Sequence, residues 1–192
     1  MKKLILSGII TLIIVVTTIF SSCSGDNVGA LQIKVDSLVN ELAQYRAEKA
    51  AIATRLVRFD SLDFEIYSKQ KWQDLHISHD DSIVVVYPDG HETSNLSDHI
   101  EALKPMFVFA PDTKITEHPI KFGSGDYTCV TGIITGTFSQ AMPIGDGKAI
   151  LPTGKQFRLN MCTVGQWKDG KMIRETLFWD NATLMKQIGA AN

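Results

Sequence analysis

The C-terminal part of the chain constrains the fold most, because two apolar runs, a tight turn and a short amphipathic end follow each other there. The runs cover residues 156–167 and 172–179, and both are rich in β-branched and apolar side chains. Asp169-Gly170 lies between them, and an Asp-Gly pair in this position favours a β-hairpin. The amphipathic end covers residues 182–188. We therefore predict a strand, a turn, a strand and a helix in this part of the chain.

Asp180 follows the apolar sequence Leu177-Phe178-Trp179 directly. A carboxylate at the end of an apolar strand is costly to bury, so it is either solvated at a rim or kept for chemistry. Asp180 also precedes the predicted helix, where an aspartate is a good N-cap. The residues alone leave both roles open, cap and catalytic acid.

The preceding region, from residue 59 onward, predicts helices first and strands afterwards. Asp60 or Ser61 caps a first helix, and Ser97 caps a second one. The predicted strands of this region cover residues 83–87, 114–122 and 127–138. Helices followed by hairpin-linked strands imply an α+β fold with a strongly curved antiparallel sheet.

Several motifs of residues 59–189 resemble one family. These are Pro-Thr-Gly-Lys at 152–155, Trp167 before the Asp-Gly-Lys turn, and Asp180 seven residues before Gln187-Ile188-Gly189. They resemble the SnoaL-like polyketide and ester cyclases of the nuclear-transport-factor-like superfamily. The resemblance implies a curved antiparallel sheet wrapped on N-terminal helices as a cone-shaped barrel. Enzymes, ligand binders and assembly modules all use this cone, so the fold alone does not decide the function.

In the resembling cyclases, the aspartate that matches Asp180 moves a proton next to a carbonyl group, with no metal or organic cofactor. Many members carry a histidine where this chain has Phe138. By the period of two, we expect Asp180 to face inward, with its pKa raised by apolar walls. We expect the ligand to be bound by these residues: Trp72, His79, Tyr87, Phe107, Phe138, Thr176 and Phe178.

Two functions from different classes follow from this resemblance. The first is a domain that binds a small hydrophobic carbonyl compound and cyclises or isomerises it by acid/base catalysis. The alternative is a non-catalytic module for ligand binding or assembly, displayed on a membrane-anchored stalk. A net charge of −2 and a pI near 6.2 do not predict nucleic-acid binding.

The histidines do not predict a metal site. His76 and His79 are three residues apart, but a structural zinc site needs four converging ligands and the sequence supplies no matching pair. We expect His91 and His99 at the surface, and the sequence does not decide which way His118 faces. We therefore expect neither a metal nor a cofactor.

Cys129 and Cys162 lie in strands that a hairpin would bring close together. A disulfide needs Cα atoms within about 7 Å and matching faces, and a register slip of one residue removes both. We predict two free, buried thiols.

The N-terminus resembles a bacterial lipoprotein signal. Lys2-Lys3 precedes the apolar run Leu4–Phe20, and Ser21-Ser22-Cys23 follows it. We predict a signal peptide over residues 1–22, with the lipid on Cys23, so that the protein is extracytoplasmic and anchored to a bacterial membrane, periplasmic or surface-exposed. The alternative is an uncleaved membrane anchor.

Residues 23–30 predict a polar tether and residues 31–58 a helical stalk. Apolar residues of the stalk recur at alternating spacings of four and three, as in a coiled coil, with Lys49 as the one charged residue of this seam. We expect the stalk to form a homo-oligomer. The alternative is one amphipathic helix packed on its own domain, which covers residues 59–192.

Overall fold

The computed structural model describes residues 25–190 of the chain. Three α-helices are present there, α1 (Gly25–Ser61), α2 (Leu96–Phe109) and α3 (Asn181–Gln187), with a π-helical turn (Leu62–Tyr67) and a 3-10 helix (Trp72–Ile77) after α1. The strands are β1 (His79–Val86), β2 (Glu92–Thr93), β3 (Lys114–Glu117), β4 (Lys121–Ser124), β5 (Tyr127–Thr137), β6 (Met142–Gly145), β7 (Lys148–Ile150), β8 (Gln156–Lys168) and β9 (Lys171–Trp179).

The chain divides into two compact units, one that ends at Glu48 and one that starts at Lys49. The described part of the first unit belongs entirely to α1. Residues 25–30, which we predicted as part of the tether, are helical and belong to α1. The predicted signal peptide and Cys23 lie outside the described residues. No described helix is long and apolar enough to cross a membrane.

The second unit contains a seven-stranded sheet with the order β2-β1-β9-β8-β5-β3, in which β4 also pairs with β5. The α+β class is confirmed, and two details differ from the prediction. The sheet is mixed, since β1 and β9 run parallel while its other pairs are antiparallel. It also stays open, because no pairing joins the described end strands β2 and β3. Parallel pairing needs a long crossover connection, and residues 87–170 supply it.

The structure confirms the predicted C-terminal hairpin and moves the predicted cap of α2 by two residues. β8 and β9 form the predicted hairpin, with Asp169 and Gly170 as its two turn residues at φ angles of 49° and 78°. Positive φ angles at both positions are what a type I′ turn requires. The cap of α2 is Asn95 rather than the predicted Ser97, because the Asn95 side chain accepts a hydrogen bond from the backbone N–H of Asp98 at 2.8 Å.

Two hydrophobic clusters hold the second unit together. The first lies between the end of α1 and strands β1, β8 and β9, and includes Phe59, Leu75 and Trp167. The second includes Phe138 and Phe157 together with residues of α3. Gly136 lies beside this second cluster, where a Cβ atom would be 2.6 Å from the Phe157 ring. Between the helical elements and the sheet, a gap remains, and it forms the candidate site.

The two cysteines lie on neighbouring strands, β5 and β8. Cys129 and Cys162 are free and half-buried, with their Sγ atoms 3.6 Å apart. Burial and the neighbouring Cys129 raise the pKa of Cys162 to about 11.

Candidate functional site

A partly enclosed cavity of about 80 Å³ lies between the helical elements and the sheet. This volume is large enough for several water molecules. Its walls are mostly apolar and include Leu62, Leu75, Leu103, Ile115, Ile134 and Leu177. Polar side chains interrupt these walls, and they belong to Asp63, Tyr67, His79, His99, Thr163 and Glu175.

Two histidines and a glutamate form the first polar cluster. His79 starts β1, His99 lies in the first turn of α2, and Glu175 lies in the middle of β9. The Nε2 atoms of His79 and His99 lie 3.6 and 3.5 Å from Oε2 of Glu175. All three residues are at least 96% buried, with exposed fractions of 2%, 2% and 4%. We call these residues the His79–His99–Glu175 cluster.

The outer nitrogen of each of these imidazoles has a polar partner. Nδ1 of His79 lies 2.9 Å from Oγ of Ser78 and 3.2 Å from the carbonyl oxygen of Leu75. Nδ1 of His99 lies 2.7 Å from the hydroxyl of Tyr87. These contacts fix both rings, so that their Nε2 atoms point at the carboxylate of Glu175.

The pKa values of Glu175, His99 and the neighbouring Tyr87 are shifted from their ordinary values. Burial alone would raise the pKa of Glu175, but the neighbouring His79 and His99 outweigh it and lower this pKa. Burial lowers the pKa of His99 to about 4, although Glu175 works in the opposite direction. Burial also raises the pKa of Tyr87 to about 12. At neutral pH, Glu175 is therefore ionised and His99 is neutral.

A second polar cluster reaches the cavity through Asp63. Nε2 of His118 lies 2.8 Å from Oδ2 of Asp63, and Nδ1 of the same ring lies 2.8 Å from Oδ1 of Asp60. The His118 ring stacks on Phe64, with centroids 4.4 Å apart. Lys121 bonds the other oxygen of Asp60. We call this set the Asp60–His118–Asp63 cluster.

The two carboxyl groups of this cluster differ in their surroundings. Burial raises the pKa of Asp63, against the opposing effect of His118. Asp60 is less buried, and its bonds to Lys121 and His118 lower its pKa against the effect of desolvation. For His118, burial alone would lower the pKa, but the hydrogen bonds with Asp63 and Asp60 outweigh burial and raise it.

Asp180 lies outside both clusters and does not line the cavity. It is the N-cap of α3, since its Oδ1 accepts hydrogen bonds from the backbone N–H groups of Ala182 and Thr183 at 2.9 and 3.2 Å. The Thr183 hydroxyl donates to its Oδ2 at 2.6 Å. The bonds from Thr183, followed by the bond from Ala182, lower the pKa of Asp180. The expected inward orientation and raised pKa are therefore wrong.

The prediction that Thr176 and Phe178 of β9 point into the cavity is also wrong. Phe178 is 51% exposed, whereas Leu177 is buried and Trp179 lines the cavity. Side chains alternate along a strand, so the inward face carries Glu175, Leu177 and Trp179. Asp180 has the parity of Thr176 and Phe178, so the alternation assigns it to the outward face, and the error was to assume that this face is the inner one.

Of the residues predicted to bind ligand, His79 is the one that lines the cavity. Trp72 and Phe107 pack on each other, with ring centroids 5.4 Å apart. Phe138 is fully buried in the second hydrophobic cluster. Tyr87 contacts the cavity residue His99, and Thr176 is half-buried on β9 away from the cavity lining.

Asp63, His99 and Glu175 were missed by the sequence analysis. His99, expected at the surface, is 2% exposed, because it occupies the buried side of the first turn of α2. The signal for Glu175 was its spacing of two from Leu177, which puts both on one face of a strand. The signal for Asp63 was its place inside the apolar sequence Leu62-Asp63-Phe64. Three side chains that could ligate a metal ion converge in the His79–His99–Glu175 cluster.

Comparison with known proteins identifies the family of this domain. The family model of the SnoaL-like polyketide cyclases matches residues 60–188. The chain therefore belongs to the SnoaL-like polyketide cyclase family. No protein of curated function matches the sequence.

Solved structures of low sequence identity share the fold. One is a candidate SnoaL-like polyketide cyclase from Jannaschia sp. CCS1, with 17% identity, a TM-score of 0.63, and coverage of 73% of this chain and 95% of that chain. Another is IdmH, a candidate polyketide cyclase from Streptomyces antibioticus, with 19% identity, a TM-score of 0.60, and coverage of 70% and 98%. A candidate polyketide cyclase from Xanthomonas campestris shares 12% identity at a TM-score of 0.61, with coverage of 72% and 98%.

Proposed function

We propose that the domain binds a small hydrophobic carbonyl compound in the cavity and moves a proton next to its carbonyl group, as a cyclase or an isomerase does. The observation that carries this proposal is the buried carboxyl group of Asp63 in the mostly apolar wall of the cavity. The family name supports the same class of chemistry. The small cavity favours a ligand of few atoms.

Asp63 fits the role of the general base. A carboxylate removes a proton from carbon more readily when its pKa is raised towards neutrality, and burial has this effect on Asp63. His118 holds the Asp63 carboxyl group through the 2.8 Å bond, and Asp60 fixes the far side of the His118 ring. His118 and Asp60 therefore act as positioning residues. The proton that leaves the carbon atom rests on Asp63 and is returned to the product.

Binding without turnover is the second candidate function. The exposed cap position of Asp180 favours it, because the residue that the family resemblance assigned to catalysis faces solvent. In this case Asp63 accepts a hydrogen bond from a hydroxyl or amide group of the ligand, and no proton leaves carbon.

The same proposal includes the location of the protein. Residues 1–22 are the signal peptide, and Cys23 carries the lipid that anchors the domain to a bacterial membrane outside the cytoplasm. The small residues before Cys23 support this. Cys23→Ala is expected to leave the mature domain out of the membrane fraction. Equal membrane retention of both forms would favour the uncleaved anchor.

Hydrogen–deuterium exchange of the ligand tests the catalytic proposal. A native mass spectrum of the purified protein first identifies a co-purified compound, which is then incubated with the protein in D₂O. Wild-type protein is expected to exchange the hydrogen next to the carbonyl group, as seen by NMR, and Asp63→Asn is expected to bind the compound without exchange. Asp180→Asn serves as the matched control and is expected to exchange at the wild-type rate. Exchange by Asp63→Asn at the wild-type rate would contradict the role of Asp63, and binding without any exchange would favour the second function.

A further inference from the structure

The tautomers in the His79–His99–Glu175 cluster leave an electrostatic conflict. In the tautomer in which Nδ1 of His79 carries the proton, this N–H donates to the carbonyl oxygen of Leu75 at 3.2 Å, because a carbonyl oxygen accepts only. The Ser78 hydroxyl can accept from the same N–H, because it donates its own proton to the Leu75 carbonyl oxygen. Nε2 of His79 then presents a lone pair. It faces Oε2 of Glu175 at 3.6 Å, so two acceptor atoms point at each other.

No hydrogen bond of the described residues joins these two atoms. Nε2 of His79 is buried and has no hydrogen-bond partner among the described residues. Nε2 of His99 faces the same carboxylate oxygen at 3.5 Å, while its Nδ1 is held by the Tyr87 hydroxyl. A phenol oxygen can accept from Nδ1–H, which leaves the second Nε2 as a lone pair as well. A cation between the three atoms would satisfy all of them.

We propose that Nε2 of His79, Nε2 of His99 and the carboxylate of Glu175 form a binding site for a divalent transition-metal cation, with Zn²⁺ as the first candidate. Imidazole nitrogen and carboxylate oxygen are established ligands of Zn²⁺, and the Nδ1 contacts to a backbone carbonyl and a hydroxyl are the usual supports of metal-binding histidines. The three side chains are buried and belong to β1, α2 and β9, three elements that are far apart in the sequence.

The distances fit such an ion. Ligand atoms at about 2.05 Å from a tetrahedral ion lie about 3.3 Å from one another. The two nitrogen-to-oxygen distances of 3.6 and 3.5 Å exceed this value by only a few tenths of an ångström. All three ligand atoms lie within 4.8 Å of one another, and rotation of the side chains towards a common centre would complete the geometry.

The site also has an open coordination position. Three protein ligands leave a tetrahedral ion with one further position, and His79, His99 and Glu175 all line the cavity. This arrangement is typical of catalytic sites, in which water or a substrate oxygen occupies that position. The inference does not rest on the proposed function, because binding of the cation is measured without any substrate.

Titration of the full chain with Zn²⁺ tests the proposal. Protein stripped by dialysis against EDTA is expected to bind about one Zn²⁺ per chain in calorimetry, and Zn²⁺ is expected to raise its melting temperature. Glu175→Gln is expected to weaken binding by more than about a hundredfold, because loss of a ligand exceeds the 10–100-fold effect of losing an outer-shell partner. Tyr87→Phe is expected to weaken it by about 10–100-fold.

Histidine NMR on the wild-type protein keeps the test independent of the folding of any variant. With ¹⁵N-labelled histidine, Zn²⁺ is expected to shift the Nε2 resonances of two buried histidines and to leave the exposed His91 unchanged. His91→Gln is the matched control in calorimetry and is expected to bind Zn²⁺ as the wild type does. Absence of Zn²⁺ binding by the stripped wild-type protein would overturn the proposal, and so would shifts confined to exposed histidines.

Discussion

Replacement of His118 by glutamine tests a buried polar group that is bonded through both of its ring nitrogens. The His118 side chain is 2% exposed and bonds the carboxyl groups of Asp60 and Asp63 through its two ring nitrogens. Glutamine carries no charge, and its single amide cannot bond two carboxylates on opposite sides. Asp63, whose side chain is 10% exposed, would lose its cation partner in a buried place.

The expected size of the effect follows from this burial. Removing one partner of a buried ion pair costs about 3–5 kcal/mol. Asp60 is 30% exposed and keeps its bond to Lys121, so we expect the lower end of this range. For a domain of this size, a loss of about 3 kcal/mol lowers the melting temperature by roughly 10 °C.

The raised pKa of His118 determines in which direction its stabilising effect changes with pH. The pKa of His118 is raised in the folded protein, so its stabilising effect is fully present below the ordinary value of about 6.5 and is lost as the pH rises through the folded pKa. The raised pKa of Asp63 acts in the same direction. The contribution of Asp60, whose pKa is lowered, is lost only in more acidic solution. The difference between wild type and His118→Gln should therefore be largest at about pH 5.5 and shrink towards about pH 9.

Thermal melts monitored by circular dichroism at several pH values measure this difference. His91→Gln is the matched control, since the pair of His91 and Asp89 is largely exposed. It is expected to melt as the wild type does throughout this range. A difference between wild type and His118→Gln that stays constant with pH would refute the assigned charge of His118. Equal melting of these two proteins would refute its structural role altogether.

Three further predictions concern other parts of the chain. Asp180→Ala is expected to lower the melting temperature through loss of the cap of α3. Asp180→Asn is expected to leave both the melting temperature and the turnover unchanged, since asparagine caps about as well as aspartate. Loss of turnover alone in Asp180→Asn would restore the catalytic role. Cys129 and Cys162 are expected to label as two free thiols in denatured, unreduced protein, and an absence of labelling would reveal a disulfide. Chains that begin at Ala30 are expected to sediment as oligomers and chains that begin at Lys49 as smaller species, and equal association would contradict the stalk.

The elements that the sequence predicted correctly depend on neighbouring residues. The β8–β9 hairpin follows from the Asp169-Gly170 pair, whose conformations suit a type I′ turn wherever it occurs. The final helix α3 follows from periodicity in the same way. The predicted cap at Asp60 or Ser61 is wrong, because α1 continues to Ser61, a π-helical turn follows directly, and the Ser61 side chain makes no capping hydrogen bond. Asp180 was correctly recognised as a possible cap because the cap depends only on the residues that follow it.

The parts that the sequence analysis missed depend on contacts between distant segments. The parallel pairing of β1 with β9 joins strands separated by more than eighty residues, and no local pattern encodes it. The same pairing brings His79 near Glu175. From the sequence alone, the pairing is not visible, and His99 is then a polar residue in the first turn of a helix, where side chains are usually exposed.

Two buried polar clusters around one small cavity stabilise a core less effectively than apolar side chains of the same volume would. Buried ion pairs are often replaced by apolar residues of similar size with no loss of stability. Asp63, His79, His99 and Glu175 are each at least 93% buried, and all four line the cavity. Asp180, by contrast, stabilises a helix end from the surface, at little cost. Because stability alone does not require the buried groups, their arrangement around one cavity is best explained by the binding of a ligand, a cation or both.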